Sequence, residues 1–146
     1  EDKNYQLLPG ASLSLTGGFT FDAAAGKTLA VAAETLFLLN LLLLPGLAFA
    51  VLLLVYLARR HSSPPLAANH LAQTTGVSMI GGALIVLVIS LILGLGGFDS
   101  GYTWMVVILY FTFIHSSLIL LGVMGLVKAM SGQHFRYPLI GRPFRS

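Results

Sequence analysis

The sequence predicts an all-α integral membrane protein with three transmembrane helices, the first kinked at Pro45, preceded by a short extramembrane β-hairpin-like segment. Two observations carry that prediction. Of 146 residues, 56% are hydrophobic and only 9% charged, with a mean hydropathy of +0.88, whereas a soluble domain carries about 25% charged residues. The few charges also leave three long gaps, and a helix needs roughly 20 apolar residues to cross about 30 Å of hydrocarbon. The same figures exclude a disordered chain, which lacks apolar surface to bury. They exclude a nucleic-acid module too, because eight scattered Lys and Arg make no basic face. The absence of Cys removes any disulfide frame, thiolate nucleophile or Cys-based metal site.

Taken in order, residues 1–33 form an extracytoplasmic segment. Ser12 to Phe21 alternate polar and apolar residues around Gly17-Gly18, a hairpin signal. A two-residue turn would place the leucines and phenylalanines on opposite faces, and a three-residue loop with a bulge would unite Leu13, Leu15, Phe19 and Phe21. An isolated hairpin is marginal in water, so these four side chains are expected to lie on an extramembrane partner or on the outer membrane interface. Asp22 is an N-cap for a helix from Ala23, which would leave Glu34 solvated near the outer interface. Residues 34–130 are the transmembrane domain. Its first gap runs from Thr35 to Ala58 and is Leu-rich, interrupted at Pro45 and Gly46; the proline frees a carbonyl near position 41, with Asn40 close enough to meet it. The second lies within Leu71 to Phe98, best placed from Thr75 to Leu95, and the third runs from Tyr102 to Val127, closed by Lys128. None alternates with period 2, so a β-barrel is not expected.

Three spans divide the charges sharply. One side receives Arg59, Arg60, Lys128, Arg136, Arg142 and Arg145 with no acidic residue, and the other receives Lys3 and Lys27 against five carboxylates. The positive-inside rule then predicts a multi-pass protein of the bacterial inner membrane, N-terminus outside and residues 131–146 a basic cytoplasmic tail. The first span ends in Arg59-Arg60 without a small-residue cleavage site, so it is read as a retained anchor.

Three local patterns resemble a family of small bacterial polytopic membrane proteins of unknown function, distantly similar to the twenty-kilodalton subunit of the chloroplast inner-envelope import translocon. They are Leu44-Pro45-Gly46 in a Leu-rich helix, the basic Pro-containing turn Arg59 to Pro65 leading into Ala68-Asn69-His70-Leu71-Ala72-Gln73, and the closing run Gly132 to Ile140. The resemblance covers Leu36 to Phe144 and implies little chemistry.

His115 lies at the midpoint of the third span, where an ionisable side chain is a functional candidate by default. It is read either as a haem ligand or proton relay, or as a neutral imidazole hydrogen-bonded to Thr112 or to a neighbouring helix. A two-His haem within one chain is disfavoured because His61, His70 and His134 all fall on the cytoplasmic side. No cofactor is therefore assigned beyond that haem alternative. Ser78, Gly82, Ser90 and Gly94 are spaced for close helix approach and predict contact with other integral membrane subunits, with Gly122 and Gly125 similar. Arg59, Arg60, Lys128, Arg136 and Arg142 are expected at anionic lipid headgroups. With no Walker loop, triad or paired carboxylates in the sequence, an enzyme is not expected. The expected role is an accessory or structural subunit of a larger inner-membrane complex. A transport or translocation component with a path near Pro45 and His115 is the alternative, and a haem-bearing electron-transfer subunit a weaker one.

Overall fold

A computed structural model of the chain describes residues 12–13, 19–20 and 23–141. Five α-helices follow: α1 (Ala23–Leu42), α2 (Leu47–Arg59), α3 (Pro65–Gly94), α4 (Gly101–Leu109) and α5 (Ser116–Met130). A π-helical turn over Tyr110–His115 joins α4 to α5, so that Gly101–Met130 is one rod of 30 residues. That rod and α3 are long and apolar enough to cross a membrane, and α2 is a shorter apolar helix.

The predicted first span is not a kinked rod. The chain reverses at Leu43–Gly46 and α2 runs back along α1. Ala33 and Leu52 are buried together with Leu71, flanked by Leu29, Leu36, Val55 and Tyr56, an antiparallel register. Gly26, in the first turn of α1, lies against Pro64, beyond the end of α2. Gly46 makes the reversal with φ 83°, a left-handed value that side chains resist, and its N–H donates to Asn40 Oδ1 at 2.8 Å. Asn40 thus meets the reversing backbone through a donor rather than through the freed carbonyl. Proline alone would bend a helix; proline followed by a glycine at positive φ turns it around.

The reversal corrects the predicted topology. The start of α1, the α2–α3 loop and the tail all gather at one end of the molecule, so the N-terminal side is not separated from the tail. Of the predicted hairpin, the structure describes two dipeptides, Ser12–Leu13 and Phe19–Thr20, paired antiparallel with Leu13 opposite Phe19. Two bridged pairs do not support the hairpin as an element of the fold, and Leu15 and Phe21 lie outside the described residues.

The core follows from this arrangement. Helix α1 packs against both α3 and α5, which touch each other only lightly. Phe37, Val77, Leu118, Phe135 and Tyr137 form one buried cluster. Gly122 and Gly125 give the room: a Cβ on Gly122 would stand 2.7 Å from Leu38, and one on Gly125 2.5 Å from the Glu34 carboxylate. At the far end, α3 and α4 are joined by a 3-10 turn at Gly97–Asp99, tied by Thr103 Oγ1 donating to the Gly97 carbonyl at 2.6 Å.

Candidate functional site

The polar side chains of the shared end converge on Glu34. A carboxylate in an apolar helix must be paired when buried, and Glu34 is fully buried with both oxygens engaged. Oε2 accepts from the Tyr137 hydroxyl at 2.6 Å, and Oε1 lies 2.6 Å from His70 Nδ1. His70, also fully buried, sits near the start of α3, and its Nε2 is 3.0 Å from the Gln133 carbonyl. That carbonyl can only accept, so Nε2 carries the proton and donates. The His70–Glu34 contact then holds one further proton, as N–H⁺···⁻O or as N···H–O. The predicted solvated position of Glu34 at the outer interface is therefore overturned: α1 enters the bundle alongside the tail, and the carboxylate closes the joint between them.

The tail has no ladder of its own from Gly132 to Pro138 and is held by side chains. Phe135 N–H donates to Asn69 Oδ1 at 3.0 Å, and Lys128 Nζ donates to Gln133 Oε1 at 2.8 Å. Tyr137 stacks edge-on against Phe37 and Phe135, with centroids 5.6 and 5.0 Å away. Burial first, then the facing Glu34 charge and the hydrogen bond to it, push the Tyr137 phenol far above its ordinary range. Within this cluster the groups satisfy one another, so its chemistry is that of a latch.

A second feature lies at the hairpin tip. A cavity of ≈ 620 Å³ is lined by Asn40, Leu41, Pro45 and Phe49, by Val77, Ser78, Met79, Gly81 and Gly82 of α3, and by Tyr110, His115 and Leu118. The predicted His115–Thr112 bond is not formed: His115 Nδ1 is buried without a partner among the described residues, as are the hydroxyls of Thr75 and Ser78. His115 instead packs at 5.0 Å from the Phe111 ring and 6.1 Å from Tyr110. The π turn carries it, and such turns recur at functional positions.

The remaining candidates scatter. Ser78 and Gly82 both line the cavity, Ser78 buried and Gly82 exposed, whereas Gly94 faces open space and Ser90 turns its hydroxyl back to the Val86 carbonyl at 2.8 Å. Gly122 and Gly125 receive α1 of the same chain. Arg59, Arg60, Lys128 and Arg136 are all exposed at the end that holds the latch, and Arg142 lies outside the described residues. No group of three His, Cys, Asp or Glu side chains is gathered for a metal among the described residues. The sequence reading missed the latch, although its parts were visible as a carboxylate inside an apolar helix and as the closing run Gly132 to Ile140.

Long apolar helices, a one-ended helical hairpin and a self-satisfied polar latch define a small helical membrane protein. Residues 25–144 match the magnetosome magnetite crystal formation protein family, MamF/MmsF, and the chain belongs to that family. The match begins in α1 and ends past the latch, so it takes in the hairpin and both long helices. It bears out a small bacterial membrane-associated family, and it does not extend to the chloroplast translocon. No curated protein and no solved structure matches the chain.

Proposed function

We propose that the chain is a non-enzymatic structural subunit of the magnetosome membrane that acts in magnetite crystal formation. The observation that carries this reading is the family match, which takes in the whole described helical body. The self-satisfied latch adds support, since it commits the buried titratable groups to holding the hairpin. On this reading α3 and the rod cross the bilayer, and α1 and α2 enter and leave from one side. Every charged residue from 23 to 141 except Asp99 then lies at the latch end: Lys27, Glu34, Arg59, Arg60, Lys128 and Arg136. The positive-inside rule puts that end, and with it the start of α1 and the tail, in the cytoplasm.

The test is genetic. In a magnetite-forming host lacking its own copy, the chain should restore crystal number and size distribution by electron microscopy, and Glu34→Ala should restore them less. Crystals indistinguishable with and without the chain would overturn the proposal.

A transport role has one observation in its favour, the cavity at the tip of a broken helix, a place where transporters bind substrate. Its lining is almost wholly apolar, which favours packing over an ion path. Flux in liposomes that falls on replacing His115 would support transport instead.

A further inference from the structure

The molecule is unequally wide along its length. At the latch end four helical segments stand side by side: α1, α2, the first half of α3 and α5. Among the described residues, only the second half of α3 and α4 continue beyond the hairpin tip. The depth of the hairpin can be read from its apolar face. On α2, Leu47, Val51, Leu54 and Leu57 are exposed in one stripe that ends at Arg59-Arg60. Ten residues of helix rise about 15 Å, half of a hydrocarbon core of about 30 Å. The hairpin therefore occupies one leaflet and stops near the midplane.

We propose that the protein is a wedge that prefers, and stabilises, an anionic bilayer curved with the leaflet at its latch end outward. Two extra helices of about 10 Å diameter add on the order of 150 Å² of cross-section to that leaflet and none to the other. A leaflet that must hold more material over the same patch is relieved by convex curvature, as with amphipathic helices seated in one interface. The latch keeps the wedge from flattening: Tyr137 and His70 hold α1 to the tail and to α3 at 2.6 Å each, and Gly125 brings α1 tight against α5. Arg59, Arg60, Lys128 and Arg136 place the broad end at anionic headgroups. The inference rests on the membrane reading above and goes beyond it, since that reading is indifferent to curvature.

The full chain, labelled at Ser62→Cys, is reconstituted into single vesicles of about 50 to about 400 nm made from phosphatidylcholine with phosphatidylglycerol, and its density per unit area is read by fluorescence. The density is expected to rise at least about threefold from the largest to the smallest vesicles, with the label reachable from outside on the small ones. A density independent of diameter, or enrichment with the label inside, would overturn the wedge. Failure to enter vesicles of any size would overturn the membrane reading instead.

Discussion

At Glu34 a single side chain joins three parts of the chain, and its loss has a calculable effect. Glu34→Ala would leave His70 and Tyr137 buried without their acceptor, and breaking such a pair costs about 3–5 kcal/mol. Tyr137→Phe removes one bond and should cost about 1–3 kcal/mol. Unfolding in detergent, followed by circular dichroism, measures both. The raised Tyr137 phenol adds a signature in pH. In the folded protein it keeps its proton above pH 10.0, the ordinary value at which the unfolded chain releases it. The folded state then binds more protons, so stability falls as pH rises beyond that point and is unaffected below it. In Tyr137→Phe this alkaline slope should become shallower.

At the scale of the element, the reversal at Pro45-Gly46 competes with the continuous helix that the apolar run from Thr35 to Ala58 would also permit. Gly46 has open space around its Cβ position, so a side chain there meets only backbone strain, about 1–3 kcal/mol for so sparsely populated a conformation. The chain has no Cys, which makes labelling direct. Lys27→Cys, Ser62→Cys and Ser131→Cys should react with an impermeant maleimide from one side of the membrane, and Ser100→Cys from the other. Adding Pro45→Ala with Gly46→Ala should move a fraction of the Lys27→Cys label to the far side. Legibility divides along the same line. Helix α3 and the rod were readable because their apolar runs are uninterrupted, and the predicted limits Thr75 to Leu95 and Tyr102 to Val127 fall on them. The hairpin was not, because composition reports that residues belong in lipid and is silent on whether the chain passes through or turns back. What decides it is the pairing of Glu34 with His70 and Tyr137, contacts across 36 and 103 residues that no local pattern displays. The tail run was visible as a pattern, but its purpose is clear only once Glu34 stands beneath it.

For the molecule as a whole, the turn of the hairpin re-sorts the charges. A three-span chain would set Lys27 and Glu34 opposite Arg59, Arg60 and the tail; in the fold they share one end, leaving Asp99 alone at the other among residues 23 to 141. The proposed orientation therefore rests on five basic residues at one end and none at the other within that stretch. Arg59→Gln with Arg60→Gln removes two of five basic residues in that stretch, and should convert uniform insertion into a mixture, scored by protease access to the α2–α3 loop.

The latch also fixes an order of events during synthesis. Glu34 leaves the ribosome 103 residues ahead of Tyr137, so for most of translation its carboxylate has no phenol to meet. Until the tail arrives its partner is His70, 36 residues on. Closing the tail over Glu34 is thereby a late step of assembly, and a chain cut short before Tyr137 would leave the carboxylate to His70 alone.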